Sequence, residues 1–365
     1  MDKEKLEIMR ANIIKEIEKI DNKDFSFYFY VTDTKGVPSG SLSYIYDIAL
    51  SLKTMGYKVG MMHSEEDFVG VEDWMGKEYA ELPHYNVEKS SVDVSPSDVL
   101  FIPEIYANVM NVTKNLPCVK VAILQSFDRL TEFIPLGATW ADLNIYKAIT
   151  TSEKNKKRLN SYFPYVKTSV ITPKISNVFN KSDEPKKLVV NMVTREQSDI
   201  NKILKPFFWQ YPTYQWVPFK ELRGMSRENF ANELKDSAIT IWVDDTTDFG
   251  YIPLEAMKCG SLVIGKIPNS MPEWLYDNNE TDGLSTAGIW VDNIETIPNI
   301  LSSVIRTWTL DSIPEDIQED ADKLLEKYTD TNQLKDIKKY IIDGIIAERR
   351  EEFATTLESL NNKND

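Results

Sequence analysis

The stretch DFGYIPLEAMKCGSLVIG, residues 248–265, reads as a loop, a helix and a strand in succession. Gly250 frees the backbone, Pro253 is pre-organised to start a helix, Glu255 falls in the first turn, and Gly260 is the expected stop signal. The free N–H groups at such a helix start attract phosphate and other electron-rich oxygens. The unit closes with Leu262–Ile264, an apolar run of the kind buried in parallel sheets.

The same rhythm extends in both directions. Upstream, KLVVNMV (187–193), YQWVP (214–218) and ITIWV (239–243) read as strands, separated by helices over 199–209 and 227–236, the latter with Ser226 as N-cap. Downstream, a helix near 271–276 leads to the strand GIWV (288–291). The first half repeats the pattern with FSFYFYV (25–31), the loop TDTKGVPSG (32–40), a helix through residue 55 stopped by Gly56, YKVGMM (57–62), VLFIP (99–103), VKVAIL (119–124), KAITT (147–151), a helix over 153–162 and TSVIT (168–172). Strands alternating with helices build parallel sheets with right-handed crossovers, and ligands then lie at the carboxyl ends of the strands. The expected fold class is α/β, with two doubly wound Rossmann-like domains facing a cleft.

The pattern lapses between Pro173 and Pro185, which places a linker there. The divisions that follow are an N-terminal amphipathic helix (1–24), a first domain (25–178), a second (187–330) and a C-terminal helical segment (331–365) that crosses back to the first domain. The helix over 4–20 carries Leu6, Met9, Ile13, Ile17 and Ile20 on one face, suited to packing on its own domain or on a second copy in a homo-oligomer.

A chain of 365 residues with 42% hydrophobic and 27% charged residues has the composition of a soluble two-domain protein. No run approaches the ~20 apolar residues needed to span a bilayer, and MDKEKLEIMR opens without an apolar h-region, so the expected location is the cytoplasm. The net charge of −15 opposes a protein whose main task is gripping nucleic acid. Lys186, Lys187, Arg195, Lys202, Lys205, Lys220, Arg223 and Arg227 crowd one stretch, and most read as a solvated positive face. The two cysteines, Cys118 and Cys259, read as buried structural thiols, and Trp209, Trp216 and Trp242 as core. His63 and His84 lack partners at metal-binding or triad spacing.

Phe249, Gly250, Leu254, Glu255, Ala256, Met257, Gly260, Val263 and Ile264, followed by Pro272-Glu273, together resemble the GT-B glycosyltransferases, and more narrowly the retaining family marked by an E-x7-E motif followed by G-x-x-V-I. GVPSG (36–40) is similar to that family's glycine loop at the interdomain cleft, TTSEKNKKRL (150–159) to the strand-Ser-helix closing its first domain, ITPKI (171–175) to the segment before its linker, and VPFKELRGMSREN (217–229) to its base-binding loop. The sequence departs from the motif at its first acid: the position eight before Glu255 is Thr247, with Asp248 beside it.

The resemblance implies hexose transfer from a nucleotide diphosphate sugar, bound by the second domain, to an acceptor held by the first, with retention and with the departing phosphate taking the acceptor's proton. It assigns Glu255 to the ribose hydroxyls and an acid in the place of Thr247 to the sugar, which a shift of the loop supplies from Asp248, with Asp245 as the alternative. Arg195, with Lys202 or Lys205, meets the pyrophosphate, because a departing diphosphate builds charge that buried donors must stabilise. Arg223 belongs to the base loop, backbone N–H groups of Phe249, Gly250 and Tyr251 orient the sugar, and Gly36, Ser39 and Gly40 form the cleft loop. It implies no metal and no cofactor, the nucleotide sugar being a substrate. The acceptor stays open among a glycan, a small molecule and a modified base in DNA. A GT-B-shaped binding protein without turnover is the non-enzymatic alternative, motivated by Thr247. A nicotinamide oxidoreductase is opposed by the lack of G-x-G-x-x-G after any strand.

Overall fold

A computed structural model describes residues 24–89, 92–276, 283–311 and 314–361. The helix expected over 4–20, and the oligomer contact read from it, lie outside the described residues.

The first sheet has seven parallel strands: β1 (Ser26–Tyr30), β2 (Lys58–His63), β3 (His84–Asn86), β4 (Val99–Pro103), β5 (Val119–Leu124), β6 (Lys147–Thr150) and β7 (Lys167–Val170), in the spatial order β3-β2-β1-β4-β5-β6-β7. Its main helices are α1 (Gly40–Thr54), α2 (Ala107–Val112), α3 (Phe127–Phe133) and α4 (Glu153–Tyr162). The second sheet, also parallel, runs β12-β11-β10-β8-β9, built from β8 (Lys187–Thr194), β9 (Phe219–Glu221), β10 (Ser237–Val243), β11 (Leu262–Lys266) and β12 (Ile289–Val291). Its helices are α5 (Gln197–Gln210), α6 (Arg227–Asp236), α7 (Tyr251–Lys258) and α8 (Ile297–Asp311).

Strand alternation sends side chains to two layers. Phe27 and Phe29 of β1 enter one core, Tyr30 the other; in β10, Trp242 packs on α7 while Ile239, Ile241 and Val243 pack on the opposite side. Each such fully buried apolar side chain contributes about 1.5–3 kcal/mol relative to exposure. Strand order reverses between β1 and β4 in the first sheet and between β8 and β10 in the second. Successive crossovers leave on opposite faces there, and a crevice opens at the carboxyl ends.

The chain then returns. After α9 (Glu315–Leu325) and α10 (Asp330–Ile337), a π-helical stretch, Lys338–Ile346, continues into α11 (Ala347–Asn361). Ile337, Ile341, Ile345 and Phe353 join the core of the first domain, Glu348 pairs with Lys147 and Lys167, and Arg349 Nε donates to Pro96 O at 3.0 Å.

Several sequence expectations need correction. The strand expected at YQWVP is displaced to Phe219–Glu221, because Pro212–Tyr214 winds into a 3-10 turn and Trp216 faces solvent. Trp209 is also exposed, at 76%; Trp242 alone of that trio is core. The helix near 271–276 is only a 3-10 turn, Glu273–Leu275. The linker is anchored: Ile175 and Phe179 are buried in the second domain's core, and Lys258 Nζ donates to Ile175 O at 2.7 Å.

Candidate active site

The loop after β10 turns into α7 at Gly250, whose φ of 68° lies in the left-handed region and whose absent Cβ would sit 3.1 Å from the Trp242 ring. Both constraints demand glycine. Helix α7 starts at Tyr251, so Pro253 is its third residue, where the N–H it lacks has no intrahelical partner anyway. Glu255 therefore stands in the second turn and not the first, which removes a dipole-complementing role and turns the side chain toward the cleft. The helix ends in paired bonds, Gly260 N to Met257 O and Ser261 N to Ala256 O, with Gly260 at φ 76°, the Schellman arrangement.

Between the domains lies a cleft of about 920 Å³, lined by the loops after β1, β4 and β5 on one side and after β8, β9 and β10 on the other. Its volume lies within the range of about 300–1,000 Å³ common to small-molecule sites. Arg195, Arg223, Asp248, Phe249, Gly250, Tyr251, Glu255, Ser39 and Gly40 all line it. Gly36 lies just outside, at φ 78° in a turn closed by Val37 N to Thr34 O.

Lys202 and Lys205 do not line the cleft. They sit on the exposed side of α5, where Lys202 pairs with Asp199 at 2.7 Å. The cations among the lining residues are four arginines: Arg129, Arg195, Arg223 and Arg227. Arg195 follows β8, half-exposed, 3.7 Å from Asp244. Arg223 folds over the same strand end, donating to Glu221 Oε1 at 3.1 Å and to Thr194 O at 3.2 Å.

Arg227 is not part of a solvated face. Its guanidinium lies over the Tyr79 ring, 5.4 Å from the centroid, and Nη1 donates to Tyr79 Oη at 3.4 Å. Tyr79 in turn donates to Asp47 Oδ1 at 2.7 Å, and Lys174 stands 3.7 Å from the same oxygen. Burial works against the Arg227 charge, but Asp47, Tyr79 and Glu255 hold it in place. Burial pushes the Glu255 carboxyl up to about 7; Arg227 restrains the rise and Asp47 adds to it. Arg227 of the second domain, bonded to Tyr79 and through it linked to Asp47 of the first, thus joins the halves, with the Glu255 carboxyl in its field. One sequence signal for it exists: a cation at the first position of α6 opposes the helix dipole, a local inconsistency of the kind that marks functional sites.

Ser39, Gly40 and Asp248 also make structural contacts. Ser39 Oγ caps α1, accepting from Leu42 N at 3.4 Å, and Gly40 is its first residue. A Cβ on Gly40 would lie 3.0 Å from Tyr251 Cδ2. The Tyr251 ring of the second domain packs against the first domain's core through that gap. Asp248 Oδ2 accepts from Phe127 N at the start of α3, at 2.9 Å, so the acid beside Thr247 ties the loop after β10 to the opposite domain. Lys154 completes the docking, its N donating to Glu273 Oε2 at 2.9 Å and its Nζ to Met271 O at 2.7 Å.

Glu104 was missed by the sequence reading. It follows β4 at the first sheet's reversal point, is 3% exposed, lines the cleft, and accepts Ser126 N at 2.8 Å. Burial raises its carboxyl to about 7, opposed by the N–H groups of Ser126, Glu104 and Gln125 and aided by Asp248. Cys118 and Cys259 are buried, and burial raises both thiols, Cys259 to about 11. His84 is lowered to about 4, burial being the main cause.

No protein-family model and no curated protein matches the chain. Solved structures do. An α-glucosyltransferase in complex with UDP and a 13-mer DNA is 12% identical, with a TM-score of 0.60 over 87% of this chain and 99% of that one. An α-glucosyltransferase with UDP-glucose and DNA containing an abasic site is 13% identical (TM-score 0.57, 87% and 99%). The pneumococcal O-GlcNAc transferase GtfA, with UDP and GlcNAc, is 10% identical (TM-score 0.59, 92% and 99%). The chain has the GT-B fold, two Rossmann-like domains about a cleft, shared with these glycosyltransferases. At such identities the likeness establishes architecture. Among the described residues, no helix is long and apolar enough to cross a membrane.

Proposed function

We propose that the chain is a glycosyltransferase that moves a hexose from a nucleoside diphosphate sugar to a hydroxyl acceptor, with retention of configuration. The observation that carries the reading is that Arg195 and Glu255, 60 positions apart in sequence, line one cleft. A diphosphate needs fixed cations at one end and a ribose needs hydroxyl acceptors at the other. Arg195 and Arg223 form the diphosphate end, with Arg227 behind Glu255 at the ribose. The left-handed turn at Gly250 exposes backbone N–H groups to the sugar, and the loops after β1, β4 and β5 face it as the acceptor wall. No cofactor or metal enters this reading. The oxidoreductase alternative is opposed by the lack of G-x-G-x-x-G after any strand.

Calorimetry with UDP, GDP and ADP tests it. One of them binds with micromolar affinity, and Arg195→Ala weakens that binding at least tenfold; no binding by any of the three refutes the reading. Binding without transfer or hydrolysis selects the non-enzymatic alternative. Transfer to modified bases in DNA is the second reading of the acceptor, favoured by the likeness to an enzyme solved with DNA and opposed by the charge of −15. Salt-sensitive retention of duplex DNA in a gel shift distinguishes it.

A further inference from the structure

We infer that Glu104 is the group in the acceptor wall that takes the proton of the attacking hydroxyl; this rests on the glycosyltransferase reading. Three features point there. Glu104 stands at the carboxyl end of a central strand, at the topological position where such folds place ligand chemistry. Its carboxylate and that of Asp248 grip consecutive backbone N–H groups, Ser126 and Phe127. The acid of the acceptor domain and the acid of the donor loop therefore converge on one point where the two domains meet. The same wall also carries Thr34 and Thr151, whose hydroxyls are buried without a hydrogen-bond partner although both residues line the cleft, Thr151 at 5% exposure. Unpaired buried hydroxyls are costly, and a rotation about χ1 would turn them to a polyhydroxylic substrate.

In the step, the acceptor oxygen bonds to C1 of the sugar while the C1–O bond to phosphate breaks. The nucleoside diphosphate leaves with the electron pair, and the hydroxyl proton passes to the Glu104 carboxylate and then to solvent. A base is most effective with a pKa close to the working pH, and burial has brought Glu104 to about 7. The groups facing it are Asp248 from the donor loop, which raises it further, and Tyr106 two residues along its own chain. Its role supersedes the departing phosphate as proton acceptor.

The test uses UDP-glucose with water as the acceptor, comparing the full-length protein and Glu104→Gln. Glutamine keeps an oxygen for Ser126 N–H, so the fold is retained and UDP affinity stays within twofold. Turnover falls about 100-fold, the lower end of general-base contributions. The wild-type rate at saturating donor rises with pH through about 7 and then levels, and E104Q lacks that limb. Equal turnover of the two proteins, including a wild type that binds UDP but is no faster than E104Q, overturns the inference, as does an unchanged pH limb. A wild type that binds no UDP is assayed in the same way with GDP-glucose or ADP-glucose; no binding of UDP, GDP or ADP refutes the nucleotide reading instead, and the inference with it.

Discussion

Replacing Arg227 by Met removes the guanidinium that bonds Tyr79 and whose charge acts on Asp47 and Glu255, while keeping most of the apolar contact with the Tyr79 ring. Removing one partner of a buried ionic group costs about 3–5 kcal/mol when the remaining charge cannot escape. Here escape is possible, because Glu255 is already held near 7 and loses the cation that restrains it. In the variant its folded pKa rises above 7, well above the unfolded value. Such a group contributes stability that is present at low pH and lost as pH rises through the folded pKa. Below pH 7 the folded forms of both proteins keep the Glu255 proton and their stabilities run parallel. Above it the variant alone still holds the proton, and it loses about 1.4 kcal/mol per pH unit relative to wild type. Between pH 7 and 8.5 the deficit grows until the variant's own folded pKa is reached, by at most about 2 kcal/mol, or about 4–8 °C in thermal midpoint for a domain of this size. Asp47 loses less, because Lys174 and Tyr79 remain beside it. Thermal melts of both proteins at pH 6, 7 and 8.5 read the effect. A deficit that is equal at all three values shows that Arg227 does not compensate the Glu255 charge, and the interdomain ion cluster fails as an explanation.

Other perturbations separate the remaining claims. Gly250→Ala must take φ 68° and meet Trp242 at 3.1 Å; a loss of about 1–3 kcal/mol in chemical denaturation is expected, and an unchanged midpoint would remove the strained turn from the account. Gly40→Val drives a branched side chain into the Tyr251 ring, 3.0 Å from even a Cβ. Overpacking of about 1–3 kcal/mol should hold the domains apart, visible as a larger radius of gyration in solution scattering; an unchanged radius sinks the idea that this contact sets closure. Lys202→Ala with Lys205→Ala leaves nucleotide affinity within twofold by calorimetry, since both side chains lie outside the cleft; a tenfold loss restores the role the motif spacing suggested. Asp248→Asn keeps an oxygen for Phe127 N–H but loses the charge, so sugar-donor turnover falls while UDP affinity holds; equal loss of both assigns Asp248 to docking alone.

The strands were legible because buried parallel strands are written as continuous apolar runs: VLFIP, VKVAIL and LVIG needed no partner to be read. The helix start at Ser226 and the stop at Gly260 were local in the same way, each set by groups within four residues. What failed was long-range. YQWVP has strand composition yet leaves Trp216 in water, since pairing with β8 begins only at Phe219. Lys202 was read from spacing, but a helix turns 100° per residue and α5 directs it away from the cleft.

The sequence by itself determined two parallel sheets, their crossovers and the left-handed turn before α7, because period, apolar runs and glycine placement act over a few residues. Only the tertiary structure decided which charges face one another. Glu104 and Asp248 lie 144 positions apart and meet through the adjoining amides of Ser126 and Phe127; Arg227 reaches Tyr79, and through it Asp47, only when the two domains dock. The pKa values that give such groups their chemistry come from desolvation and from neighbours across the fold, neither of which a linear string of residues contains.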